Sequence, residues 1–148
     1  MKPTLISCAM ALLLGFACTE EEPWSMFHDG NGRTPPAGAY LYTSRQQSGE
    51  VAAMGWLMID TTNPAHVTGE WSLQPIGSTN DIGPQSGNDS LAGGKASDST
   101  WWLNLQPRFV DNNIFLVGSF EPDMFSGKWM WSTVGGVAGE GSFESVRP

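Results

Sequence analysis

A glycine, one intervening residue and then a large aromatic recur along this chain. The copies are Gly38-Ala39-Tyr40, Gly69-Glu70-Trp71, Gly118-Ser119-Phe120, Gly127-Lys128-Trp129 and Gly141-Ser142-Phe143. Each lies within a short run of alternating apolar and polar residues. Successive side chains on a strand point to opposite faces, so the glycine and the aromatic share one face. Glycine inside a strand marks a bend or a close backbone approach. A device repeated this way predicts one sheet curved around one aromatic core.

Eight segments read as strands: Gly38–Arg45, Val51–Asp60, His66–Ile76, Ser90–Ala96, Thr100–Gln106, Asn113–Glu121, Phe125–Val134 and Val137–Val146. Turn-forming strings separate them, among them Gln46-Gln47-Ser48-Gly49, Glu121-Pro122-Asp123 and the two-residue hairpin turn Gly135-Gly136. Only Gly77 to Asp89 reads as a long loop. No segment carries a helical period, so no crossover helix exists to make strands parallel. Consecutive strands with short connections pair as an antiparallel meander. Closing the meander removes both exposed edges. The expected fold is therefore all-β: a single eight-stranded antiparallel up-and-down barrel after an N-terminal signal segment.

Alternation assigns the faces. Phe125, Gly127, Trp129 and Trp131 oppose Ser126, Lys128, Met130 and Ser132, while Ile114, Leu116, Gly118 and Phe120 oppose Phe115, Val117 and Ser119. The predicted interior holds Tyr40, Trp71, Trp101, Phe120, Trp129, Trp131 and Phe143. Each buried ring removes roughly 150–250 Å² from water, about 4–6 kcal/mol apiece, so core packing accounts for these rings without a ligand. An outer-membrane barrel would also alternate, with its apolar face turned to lipid. Short turns at both ends and the crowded glycine–aromatic pairs favour a barrel with its apolar face inside.

The N-terminus is read as targeting sequence rather than fold. Lys2 precedes an apolar run from Thr4 to Ala17 that is too short for a permanent membrane span. Gly15-Phe16-Ala17-Cys18 resembles the cleavage box of bacterial lipoproteins, in which the cysteine is lipidated and becomes the new N-terminus. The reading is a signal peptide over 1–17, a lipid-anchored flexible tether over 18–36 and a barrel domain over 37–148. The location expected is the bacterial cell envelope, anchored to a membrane through lipid on Cys18, or secretion if Cys18 stays unmodified. Cys8 leaves with the signal, so the mature barrel has no thiol and is held by packing alone.

The small meander barrel with Gly38-x-Tyr40 in its first strand and Arg147 after its last resembles the calycin group, the lipocalins and avidins. Lipocalins carry Gly-x-Trp and an arginine packing over that tryptophan; here tyrosine stands in the ring position. The resemblance covers Gly38 to Arg147. It implies a lipocalin-like barrel architecture and carries no ligand with it. The function expected is a binding module holding a small apolar or aromatic molecule at one barrel mouth, roofed by the Gly77–Asp89 loop, although an eight-stranded barrel with so many large inward rings favours a filled interior over a roomy cavity.

Chemistry is sparse. The formal net charge of −8 sets the chain against nucleic acid and anionic headgroups by repulsion, so no nucleic acid partner is expected. His28 and His66 are the two histidines, and neither stands in relation to a nucleophile or to metal-ligand spacing. Phe27-His28-Asp29-Gly30-Asn31-Gly32-Arg33 resembles the active-site loop of Fic-type nucleotide transferases, but Ser25 stands where that family has its catalytic histidine. No catalytic residue, metal or cofactor is expected, and the chain reads as a non-enzyme. Trp56 and Trp102 fall on the outer face, with Met54, Met58 and Met130. Exposed aromatics beside methionine are the candidate surface for a ligand or protein partner. The alternatives are an inhibitor-like barrel working through that outer surface and a purely structural envelope lipoprotein.

Overall fold

The computed structural model describes residues 34–148, apart from 64 and 79. The signal segment, Cys18 and most of the tether lie outside the described residues. Eight strands follow: β1 (Gly38–Gln46), β2 (Val51–Asn63), β3 (His66–Pro75), β4 (Gly87–Lys95), β5 (Trp101–Asn104), β6 (Asn112–Phe120), β7 (Met124–Thr133) and β8 (Gly136–Val146). Each pairs antiparallel with its sequence neighbours, and β8 pairs back onto β1 to close the barrel. The meander barrel read from the alternation is the fold.

Boundaries move where side chains intervene. The strand expected over Thr100–Gln106 stops at Asn104, because Asn104 Oδ1 accepts the Gln106 backbone N–H at 2.8 Å and turns the chain out of the ladder. β4 begins at Gly87, earlier than Ser90, because its pairing with β3 extends to Leu73. The last hairpin turn sits one residue earlier than Gly135-Gly136. Thr133 pairs with Gly136, which opens β8 at a φ of 105° that suits glycine.

All five glycine–aromatic pairs face inward. The physical need for glycine is plainest where β6 meets β7. Gly118 and Gly127 are direct partners. A Cβ on Gly118 would lie 1.9 Å from the Ser126 carbonyl oxygen, and one on Gly127 2.0 Å from that of Val117. The strands bend so sharply here that neighbouring backbone occupies the side-chain position. Two residues on, Phe120 and Phe125 fill the space beside the bend. Their rings stack with centroids 4.0 Å apart and planes 5° from parallel. Phe143 meets Phe125 edge-on at 4.8 Å, and Tyr42 stacks on Phe143 at 5.9 Å. Tyr40 and Trp101 both meet Phe120 at T-shaped angles.

That chain of rings fills the closed end, where β1 starts and β8 finishes. There the Tyr40 hydroxyl donates to the Pro36 carbonyl at 2.7 Å, and the Arg147 guanidinium lies 6.0 Å from the Tyr40 ring centroid. The ring and the arginine singled out in the sequence do meet.

Candidate functional site

The opposite end is the mouth, and the segment between β3 and β4 enters it. Ile82 and Gln85 of this loop are buried. Gln85 Oε1 accepts hydrogen bonds from the Tyr42 hydroxyl at 3.0 Å and the Ser44 hydroxyl at 2.8 Å, while its Nε2 donates to the Ile82 carbonyl at 2.8 Å. Gln106 Nε2 donates to the Pro84 carbonyl, and Gln106 Oε1 accepts the Ile114 N–H. The loop was expected to roof a space at the mouth. Instead it descends into the mouth and fills it with its own side chains. A buried polar loop is tolerated because its polar groups are paired.

The inward tryptophans at this end follow the same rule. Trp71 Nε1 donates to the Leu105 carbonyl, and Trp129 Nε1 to the Arg45 carbonyl at 2.8 Å. Trp131 departs from the expected interior set. It faces inward but is only half-buried, because it sits at the rim with Nε1 donating to Asn112 Oδ1. Its inner neighbour is Gly83 of the loop, where a Cβ would come within 2.5 Å of the indole. Tyr40, Trp71, Trp101, Phe120, Trp129 and Phe143 are buried as expected.

The outward residues form two faces rather than one. Trp56 lies on β2 and Trp102 on β5, with β3 and β4 between them. On the first face, Val146, Leu41 and Trp56 are successive cross-strand partners over β8, β1 and β2. Met54 and Met58 flank Trp56 along its strand. These five are exposed, Leu41 by 58% and Trp56 by 39%. The first face carries no charge along this row. Its borders are acidic: Glu70 opposes Met58 and Glu144 opposes Thr43. A shallow cleft lies on the β3 side, where Asp89 is held below the usual carboxylate range, first by the Ser90 backbone N–H and then by Arg108.

The second face is concave. Trp102, Phe115, Val117, Met130 and Val137 line a groove of about 630 Å³ across β5 to β8, with Lys95 and Ala96 at one end. Trp102 lies over Gly94, and its ring is tilted 55° to Phe115 at 6.4 Å. Val117 points outward yet is fully buried beneath these neighbours. Leu41, Val146 and Phe115 were missing from the candidate surface, although strict alternation against Tyr40, Phe143's strand and Ile114 puts them outside. Gln85 carries no such signal, since it belongs to a loop without periodicity.

Outward Glu70, Lys128, Glu140 and Glu144 interrupt any apolar belt around the barrel. Among the described residues no three of His, Cys, Asp and Glu converge as a metal site.

The fold and its faces define a closed eight-stranded antiparallel barrel with a filled lumen. No protein-family model matches the chain, and no curated protein matches it in sequence. It is similar in shape to a solved redesigned beta barrel, at 13% identity and a TM-score of 0.49, covering 82% of this chain and 98% of that one. The redesigned beta barrel mFAP1, solved bound to DFHBI, is 13% identical with a TM-score of 0.47, covering 81% of this chain and all of that one (100%). The likeness is confined to barrel shape.

Proposed function

We propose that this chain is a non-enzymatic binding module of the bacterial cell envelope, held to a membrane by lipid on Cys18, that engages a protein through its β8–β1–β2 face. The observation carrying this reading is the uncharged row Val146, Leu41 and Trp56 with Met54 and Met58 beside it. Interface cores are depleted of charge and enriched in tryptophan and methionine. Methionine adapts to the contours of a partner. The acidic border of Glu70 and Glu144 suits a partner with an apolar centre and a basic rim.

The test is native mass spectrometry of the full chain purified from its host, alongside Trp56→Glu and, as control, Val134→Glu in the exposed β7–β8 turn. A protein that accompanies wild type and Val134→Glu, is lost with Trp56→Glu and dissociates more readily in salt supports the reading. Identical companions for all three chains would sink it. Mass spectrometry of the same material against Cys18→Ala reports lipidation, and an unmodified Cys18 would leave a secreted barrel.

A small apolar molecule in the mouth is the second reading. It requires the loop carrying Ile82 and Gln85 to leave, and Gly83→Val, which drives that loop off Trp131, is the variant to compare. A ligand held by Gly83→Val and ignored by wild type would show that the loop excludes it.

A further inference from the structure

The groove on the other side of the barrel has features that the β8–β1–β2 face lacks. It is concave, and its volume of about 630 Å³ falls within the roughly 300–1,000 Å³ typical of small-molecule sites. Its walls are the Trp102 and Phe115 rings, its floor is Val117, and Met130 and Val137 continue it toward the mouth. From Val117 to Asn113, the partner of Ser132, is four residues along β6, about 13 Å of strand. The shape is that of an elongated slot.

Charge gives the slot a direction. Lys95 stands at one end and forms no ion pair among the described residues. Lys128 opposes Val117 and places a second cation beside the floor. Toward the other end Glu140 opposes Met130, with its Oε1 accepting from Gln47 Nε2. On a chain of net charge −8, cations at one end of an apolar slot and a carboxylate toward the other are a local reversal. A molecule that matches it has an anionic head and an apolar tail.

We infer that the β5–β8 groove binds a free single-chain amphiphile with an anionic head, the head at Lys95 and the tail along Trp102, Phe115 and Met130. This site is independent of the protein-docking face: Trp56 and its neighbours take no part in it. The tail gains by covering ring and methionine surface that is now half-exposed, at about 25 cal/mol per Å² of apolar area buried.

Calorimetric titration of the full chain with dodecanoate, below its micelle concentration, tests the inference. Dodecyltrimethylammonium is the head-group control. Saturable binding of dodecanoate is expected, with the cationic analogue weaker. Lys95→Glu should weaken dodecanoate about fivefold, since one partly solvated ion pair is exchanged for a repulsion. Met130→Glu should abolish binding by putting a carboxylate against the tail. Circular dichroism should show both variants folded, because Lys95 is exposed and Met130 half-exposed. Trp56→Glu should bind dodecanoate as wild type does, so that failure of the docking face and failure of the groove are told apart.

The inference is overturned if dodecanoate does not bind, if both head groups bind equally, or if Met130→Glu leaves binding intact. It is also overturned if the chain takes up no free dodecanoate but sediments with phosphatidylglycerol vesicles through the groove, which would make the occupant a membrane lipid.

Discussion

The two ends of this barrel are closed by different physics. At the closed end Tyr40, Trp101, Phe120, Phe125 and Phe143 meet ring against ring, with Arg147 laid over Tyr40 from outside. At the mouth a loop is latched by a buried glutamine that takes two hydroxyl protons. The burial of apolar surface is non-directional and shared among many contacts, so it is lost only when the barrel itself is lost. A hydrogen-bonded latch is directional, and a loop carrying it can leave while the strands remain paired. The closed end is therefore a structural foundation, and the mouth is the part of the molecule able to open.

Removing the centre of the ring chain should have the largest effect. Phe120 touches Tyr40, Trp101 and Phe125, and Phe120→Ala is expected to cost about 3–5 kcal/mol, the range for emptying a large aromatic site in a packed core. Denaturant unfolding followed by tryptophan fluorescence measures it. A loss below about 1 kcal/mol would mean that the closed end is no more tightly packed than the mouth, and the contrast between the ends would fail.

The latch should be worth less and should act locally. Gln85→Ala leaves the Tyr42 and Ser44 hydroxyls without their shared acceptor, at a cost of about 1–3 kcal/mol. Hydrogen exchange should quicken at residues 76–86 and stay slow in β6 and β7. Equal acceleration throughout would show that the loop is an integral part of the barrel rather than a latch upon it.

How far these ends were legible in the sequence follows from the same contrast. The closed end was readable because strand alternation has a period of two, and Gly-x-aromatic puts the bend and its filling ring on one face. Arg147 over Tyr40 was readable as a resemblance in strand position. The mouth was not readable, since Ile82 and Gln85 sit in a loop where no period ties a residue to a face. Trp131 was assigned correctly to the inside, but periodicity says nothing of depth along a strand, so its place at the rim was missed. The outer candidates suffered from closure itself. Trp56 and Trp102 share the outward parity, but only the strand order reveals that β3 and β4 hold them apart. Leu41 and Val146 join Trp56 through the β8–β1 pairing, a contact between the two ends of the barrel sequence.

Alkaline pH offers a third way to compare the ends, because the chain's two tyrosines mark them. Burial raises the Tyr42 phenol above its ordinary value, with only partial opposition from the neighbouring Ser44 hydroxyl. Burial also raises Tyr40, but the Arg147 guanidinium pulls it back down. An unfolded phenol ionises near pH 10, while the folded barrel keeps these protons. The stability they contribute is fully present below about pH 10 and falls as pH rises beyond it, by about 1.4 kcal/mol per unit for each phenol still protonated in the fold. Phenolate absorbance during an alkaline titration should show Tyr40 ionising first and Tyr42 only as the barrel unfolds. The reverse order, assigned with Tyr40→Phe, would break the account of a tightly enclosed Tyr42.

The smallest expected effect sharpens the closed end alone. Arg147→Ala removes a cation from the face of Tyr40 at an exposed site, a contact worth about 0.5–1 kcal/mol. Stability should fall by no more than that, because the rings beneath keep their own contacts. The more telling readout is the phenol. With the guanidinium gone, burial and the Asp123 carboxylate act on Tyr40 unopposed, and both favour the neutral form. Its ionisation should move to higher pH even as the barrel becomes slightly less stable. Arg147→Lys should restore part of the electrostatic effect, since an ammonium group is also attracted to the ring. If stability falls and the phenol does not move, Arg147 acts only through its hydrogen bond to the Ala37 carbonyl, and its position over the ring is incidental.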